Sequence, residues 1–503
     1  MLEIKDLTIK TVKDRELISH LTFTLQQGDK LAIIGEEGNG KSTLLQYISN
    51  PSRIMDYAIV TGEVRKNGNK IGYLEQFLPD DWKECTVEDY LVKDNPKEEP
   101  IYERYNRFDE LPKIFATLGI EKAYLQEDRK MGEISGGETV KIQLAKLLFL
   151  ESDLLLLDEP TNDLDIETLE WLEEFIRTSK KPILYISHDE TLLENTANCI
   201  LHLEQLENKT KAKWTYEHMG YLDYREKRAR QINRQNQIAE NEQRQYQKQE
   251  EKWNRIYQSV AYKQETITRQ NPSKGRLLAK KMKTVKAIEK RLEKQELTQK
   301  IHPEEAIFGK FHKQEGIHAS KVILDLDFHN ADSKIKKEHI VLKVVGKEKW
   351  CILGKNGVGK TTLLKKIYNI LQERKDIKIG YMPQNYDEIL PLKKAAIQFL
   401  NPEGIKEKET LARTYLASMK LTKEEMDSMM QNLSGGQKAK VFLVQMMLEP
   451  YHVLLLDEPT RNLSPLSNPV VRELLRNFNG AIISVSHDRK YIKEVCDHIY
   501  EMK

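Results

Sequence analysis

Two lysines in this sequence close the same pattern. GEEGNGKST (35–43) and GKNGVGKTT (354–362) both read G-x-x-x-x-G-K-[ST]. In such a loop the glycines, here Gly35, Gly38 and Gly40 or Gly354, Gly357 and Gly359, let backbone N–H groups wrap phosphate oxygens. Lys41 or Lys360 brings charge to the β- and γ-phosphates. Ser42 or Thr361 offers a hydroxyl to Mg2+, with Thr43 and Thr362 following in the same turn. One match arises by chance; two, each after a short apolar run and before a helical pattern, do not. Downstream stand LLLLDEPTNDLD (154–165) and VLLLDEPTRNLS (453–464). An apolar run ahead of an acidic pair reads as a buried parallel strand. It delivers Asp158 and Asp457 to the carboxyl edge of the sheet, where open α/β folds bind ligands. The aspartates can hold Mg2+ through water, and Glu159 and Glu458 can orient or deprotonate an attacking water.

Between these elements lie ISGGE (134–138) and LSGGQ (433–437), and here the chain resembles the ATP-binding cassette (ABC) superfamily, whose signature is Ser-Gly-Gly. The spacing agrees across both copies: 23 residues from Ser135 to Asp158 and from Ser434 to Asp457, then 30 to His188 and to His487. By the resemblance, His188 and His487 are switch histidines near the γ-phosphate, and Gln76 and Gln384 touch Mg2+ and the water. Paired head to tail, the cassettes would form two composite sites for ATP. One joins Lys41, Ser42, Gln76, Asp158, Glu159 and His188 to Ser434, Gly435 and Gly436. The other joins Lys360, Thr361, Gln384, Asp457, Glu458 and His487 to Ser135, Gly136 and Gly137. The copies depart where Asp165 of the first corresponds to Ser464 of the second, so unequal hydrolysis is expected. No tyrosine precedes either loop to stack on adenine, and ATP as the nucleotide comes from the resemblance.

These motifs need elements to hold them. The repeat implies an α/β fold: two tandem ABC-type P-loop ATPase domains, expected at 1–205 and 320–503, joined by a long antiparallel α-helical hairpin at 206–319. A short arm insert is expected at about 80–125. At 503 residues, 39% apolar and 31% charged, the chain has the size and composition of a globular protein of two or three domains. Its four cysteines form no C-x-x-C pair, which excludes ordinary zinc ribbons and suits a reducing compartment. The N-terminal MLEIKDLTIK lacks a signal-peptide core, and no apolar run approaches the ~20 residues that span a bilayer. A cytoplasmic protein without a membrane domain is expected.

Charge is concentrated in one place. Residues 211–300 hold 23 Lys and Arg against 11 Asp and Glu, while the whole chain nets only +2. Tyr246, Trp253, Tyr257 and Val260, then Leu278, Met282, Val285, Ile288 and Leu292, recur at helical spacing as two narrow apolar stripes. Asn271-Pro272-Ser273-Lys274-Gly275 breaks between them, placing a hairpin tip at about 255–275. Trp253, Tyr257, Tyr262, Lys263, Arg269, Lys274 and Arg276 combine cations with aromatic faces and are candidate RNA contacts; the plainer reading is a solvated spacer. Tandem cassettes with such a hairpin resemble the ABC-F proteins, specifically their antibiotic-resistance, ribosomal-protection type (the lincosamide, pleuromutilin and streptogramin A branch). That resemblance implies a monomer with intramolecular cassette pairing that binds the E site of the 70S ribosome when closed on ATP. The hairpin would reach 23S rRNA and the P-site tRNA near the peptidyl-transferase centre and displace a bound drug, and hydrolysis would release the protein. Alternatives are a housekeeping ABC-F translation factor and, further off, the ATP-binding subunit of a membrane exporter.

Overall fold

The computed structural model describes residues 2–125, 128–162, 164–206, 209–266, 272–293, 300, 311, 317–329, 335, 337 and 339–502. It falls into two compact units, Met1–Leu222 with Glu304–Lys503, and Asp223–Pro303.

The first unit contains the repeat twice over. In the first copy the strands run in the order Ile71–Leu74, Leu154–Asp158, Ile183–Ile186, Lys30–Ile34, Cys199–Leu206, all parallel. In the second the order is Ile379–Met382, Val453–Asp457, Ala481–Val485, Lys349–Gly354, His498–Met502, again parallel. Leu154–Asp158 and Val453–Asp457 are buried at every position, as expected for strands covered on both faces. Each phosphate-loop strand is followed directly by its helix, Lys41–Ser49 or Lys360–Gln372. Glycine is required where loop and sheet meet. At Gly35, with φ +139°, a Cβ would stand 2.2 Å from the Leu203 carbonyl oxygen, and at Gly354 2.5 Å from that of Met502.

Among the described residues the first copy carries more sheet than the second. A three-stranded antiparallel sheet (Glu16–Leu25, Leu2–Thr11, Ala58–Arg65) accompanies it. In the second copy the counterpart among the described residues is the pair Val322–His329 and His339–Val345. Lys211–Glu217 also adds to the first copy, antiparallel to Cys199–Leu206. The expected boundary at 205/206 therefore falls inside a sheet, and the long helix starts only at Tyr221. The alternating KAKWTYE carried the signal of this strand, but its lysines read as the start of the charged hairpin.

The second unit is a helical hairpin of unequal arms, Tyr221–Glu265 with 45 residues and Pro272–Glu293 with 22. At 1.5 Å per residue the longer helix extends about 68 Å. The arms run antiparallel, since Trp253 Nε1 donates to the Val285 carbonyl at 2.9 Å and Lys300 Nζ reaches Glu240 at 2.9 Å. The Trp253 and Tyr257 rings stack with centroids 5.3 Å apart. Val260, Val285 and Leu292 are buried as the stripes predict, whereas Ile288 is 42% exposed and so falls outside the seam. Tyr262 and Lys263 close the first arm, with Tyr262 67% exposed, and Arg276 lies on the first turns of the second. Of Lys274 only the helical backbone is described, and Arg269 lies outside the described residues. Among the described residues, no helix is long and apolar enough to cross a membrane.

Candidate active site

The first phosphate loop is closed on itself. Lys41 Nζ donates to the carbonyls of Gly35 and Glu36 at 2.8 and 2.9 Å. Ser42 Oγ donates to Asp158 Oδ1 at 3.0 Å, and the Tyr73 hydroxyl to Oδ2 at 3.0 Å. Burial, then the neighbouring charge of Glu159, pushes Asp158 up to about 6. Glu159 is held from three sides: Gln76 Nε2 at 2.9 Å and Asn162 Nδ2 at 3.0 Å on Oε2, His188 Nε2 at 3.0 Å on Oε1. Burial opposes its ionisation, but His188, Lys41 and Asn162 together outweigh it and hold Glu159 down at about 2.

The second loop repeats the lysine ring, with Lys360 Nζ on the carbonyls of Gly354 and Lys355 at 2.7 and 3.0 Å. Its acids are held differently. Asp457 is 1% exposed, and neither of its carboxylate oxygens has a hydrogen-bond donor. The Thr361 hydroxyl lies close enough to lower it but outside hydrogen-bond geometry, and burial prevails, raising Asp457 to about 6. Glu458 accepts the His487 backbone N–H at 3.3 Å, with the ring Nε2 3.9 Å away. Burial and the charge of Asp457 raise it to about 8. Both glutamates sit in the left-handed region, Glu159 at φ +48° and Glu458 at φ +52°. For a non-glycine residue this conformation costs about 1–3 kcal/mol and is concentrated at functional sites.

The signature serines each cap a helix of fourteen residues, Gly136–Phe149 and Gly435–Leu448, and each has the reciprocal bond from the third residue on. These helix starts meet the opposite cassette. Gly436 N–H donates to Glu37 of the first phosphate loop at 2.7 Å, and Lys440 Nζ lies 3.0 Å from Glu36. On the other side a cleft of about 450 Å3 is lined by Gly136, Asn162 and Leu164 of the first cassette and by Gly357, Gly359, Lys360, Thr361, Thr362, Gln384, Asp457, Glu458 and His487 of the second. The first signature reaches this cleft through Gly136, while Gly137 lies against Thr168, where a Cβ would stand 3.0 Å from the hydroxyl. His188 spans the boundary, its Nδ1 donating to the Leu463 carbonyl of the second cassette at 2.8 Å. Asp165 caps its own helix through Thr168 at 3.0 Å, whereas Ser464 takes the Leu466 N–H at 3.4 Å and its helix begins later, at Asn468.

One buried ion pair and two part-buried ones tie the cassettes further. Arg472 reaches Glu190 at 2.5 Å with both side chains 3% exposed, Lys490 adds to Glu190 at 3.4 Å, and Arg489 pairs with Glu173. The sequence reading missed Tyr73, Asn162, Glu37 and the Leu463 carbonyl. Tyr73 and its counterpart Tyr381 sit inside the GYLEQ and GYMPQ stretches already singled out, so the repeat itself carried that signal.

Residues 18–162 and 338–461 match a family model described as ABC transporter. The chain is similar to the probable ATP-binding protein YheS of Escherichia coli (strain K12), 28% identical over 523 aligned positions covering 97% of this chain and 76% of the relative. It is also similar to the ribosome protection protein VmlR of Bacillus subtilis (strain 168), 29% identical over 518 positions covering 96% and 83%. Among solved structures, archaeal ribosome recycling factor aABCE1, crystallised with the ribosomal stalk protein aP1, has the same fold, with a TM-score of 0.60 at 16% identity over 99% of this chain and 87% of that one.

Proposed function

Because the chain belongs to the ABC transporter family of ATP-binding proteins, in its tandem-cassette ABC-F form, and its cassettes are ATPase domains, we propose that it clamps two ATP molecules between its halves and uses the closed form to engage the ribosome. Lys41 and Lys360 exchange their loop carbonyls for the β- and γ-phosphate oxygens. Ser434 with Gly436, and Ser135 with Gly137, complete the opposite face of each γ-phosphate. Glu159, held ionised, and Glu458, once it has lost its own proton, hold the attacking water and take its proton as its oxygen bonds to the γ-phosphorus and the bond to the β–γ bridging oxygen breaks, leaving ADP and phosphate. His188 and His487 orient these carboxylates. Mg2+ fits the oxygen set present, because a buried carboxylate without donors beside a hydroxyl, as at Asp457 and Thr361, suits a hard cation. Ser42, Asp158 and Gln76, or Thr361, Asp457 and Gln384, would hold it, and it would supply charge against the β- and γ-oxygens.

The observation that carries the ribosomal reading is the basic surplus gathered on a hairpin of 45- and 22-residue helices that separates the two cassettes in the sequence. Trp253, Tyr257, Tyr262, Lys263, Arg269, Lys274 and Arg276 are the proposed contacts to 23S rRNA and the P-site tRNA, with the cassettes at the E site. VmlR, named a ribosome protection protein, supports the ribosome as the target, and drug displacement is the outcome we propose. The test is sedimentation with salt-washed 70S ribosomes through a sucrose cushion. A non-hydrolysable ATP analogue is expected to bring the protein down; nucleotide-independent partition, or association with membrane vesicles alone, refutes the reading. A strain lacking the gene is expected to become more susceptible to large-subunit antibiotics. Unchanged susceptibility with altered translation would favour a housekeeping translation factor.

A further inference from the structure

The two phosphate loops differ where chemistry would let them be alike. The first reads Gly35-Glu36-Glu37-Gly38 and the second Gly354-Lys355-Asn356-Gly357. Glu37 crosses the cassette boundary: its Oε2 accepts the Gly436 N–H at 2.7 Å, and a Cβ on Gly436 would stand 3.0 Å from that oxygen. Glu36 beside it takes Lys440 at 3.0 Å, with side chains 12% and 10% exposed. Gly436 lies in the first turn of Gly435–Leu448, where unbonded N–H groups and the positive end of the helix attract an anion. It is also the amide assigned above to the γ-phosphate. In the second loop Lys355 turns to Glu167 at 2.9 Å instead, and neither Lys355 nor Asn356 can bring a carboxylate to the opposing signature.

We infer that Glu37 sets the nucleotide requirement of the first composite site: its carboxylate takes the place of the γ-phosphate on Gly436 and gives it up only to a nucleotide that carries one. The inference rests on the composite-site reading of the previous section. A nucleoside diphosphate can fill the Lys41 loop without needing the Gly436 amide, so Glu37 stays where it is. A triphosphate must claim that same N–H, and its negative charge cannot share it with a carboxylate at hydrogen-bond distance. The exchange therefore reduces triphosphate affinity by the stability of the Glu37 contact and leaves diphosphate affinity alone. The second site has Asn356 in that position, whose neutral amide sets no negative charge against a γ-phosphate. The two sites would then fill at different ATP concentrations, the second before the first.

The experiment uses the full chain carrying Lys360→Ala, which weakens the second loop, titrated with Mg-AMP-PNP and with Mg-ADP by calorimetry. Glu37→Asn, the second loop's own residue, is expected to tighten AMP-PNP by about fivefold or more and to change ADP by less than about twofold. The reciprocal Asn356→Glu, in a Lys41→Ala chain, is expected to weaken AMP-PNP by a similar factor. Unchanged AMP-PNP affinity in Glu37→Asn, or equal tightening of ADP, overturns the assignment. Ser434→Ala separates the two layers of the argument. If it leaves AMP-PNP binding unchanged, the composite site falls and this inference with it. If it weakens AMP-PNP while Glu37→Asn gains nothing, only the role of Glu37 is overturned.

Discussion

Replacing Arg472 by methionine tests how the cassettes are fastened. Arg472 sits in the helix Asn468–Arg476 of the second cassette and Glu190 in the helix Glu190–Thr196 of the first. Their side chains are 3% exposed each, and the contact at 2.5 Å is backed by a second guanidinium nitrogen at 3.4 Å. Removing one partner of a buried pair leaves an uncompensated charge and costs about 3–5 kcal/mol. Lys490, 3.4 Å from the same carboxylate, softens that loss, so Arg472→Met is expected near the lower end, about 3 kcal/mol. Glu190→Met strands a guanidinium that still has Glu494 at 2.7 Å, and about 2 kcal/mol is expected. Removing both replaces the pair by apolar bulk and should cost about 1 kcal/mol or less, a coupling of about 4 kcal/mol. Urea unfolding followed by tryptophan fluorescence reads this directly; at a slope of about 3 kcal/mol/M, Arg472→Met moves the midpoint by about 1 M. A double variant as unstable as the sum of the singles, or an Arg472→Met change below about 1 kcal/mol, would refute a buried, mutually dependent pair.

Glu159→Gln combined with Glu458→Gln is expected to bind ATP yet stay on ribosomes, because the water is held without a base; rapid turnover or normal release from a sucrose-cushion pellet would contradict these roles. Shortening the hairpin across 255–275 is expected to abolish ribosome-directed activity while sparing ATPase activity, measured by phosphate release and by growth with drug. Val285→Asp, which buries a charge in the seam beneath Trp253, should loosen the hairpin by about 2–4 kcal/mol and appear as faster proteolysis within 223–303. Burial works against ionisation of Glu425, but the hydrogen bonds from Lys209 at 2.6 Å and from Thr422 hold it below its ordinary value. Its contribution is therefore complete above the unfolded value of about 4.3 and lost as pH falls through the folded one. Lys209→Met should flatten acid unfolding in that window, and an unchanged pH profile would remove the pair from the account.

The repeat made the cassettes legible. The phosphate loops and acidic pairs fix two strands of each cassette and the helix after the loop within a few residues, and equal spacing carries the same topology to both copies; the outer strands of each sheet hold no such motif and came only with the structure. The hairpin was legible as two stripes, yet Ile288 had the right spacing and ended exposed, because a narrow seam accepts only one residue per turn from each arm. What escaped lies in contacts between distant segments. Glu37 meets Gly436 across 399 residues and His188 meets Leu463 across 275, and no local period announces either. The terminal strand Lys211–Glu217 escaped for a different reason: its lysine-rich alternation looks like the start of the charged hairpin until its partner strand is known.

The imidazole of His188 has a further consequence. One nitrogen faces the carboxylate of Glu159 and the other the backbone of the opposite half. Draw the halves apart by little more than an ångström and the ring loses the acceptor that fixes its plane, so the glutamate loses its steadying neighbour in the same movement. A single five-membered ring thus couples the seam between the cassettes to the acid behind the first phosphate loop, so that a shift at one is felt at the other.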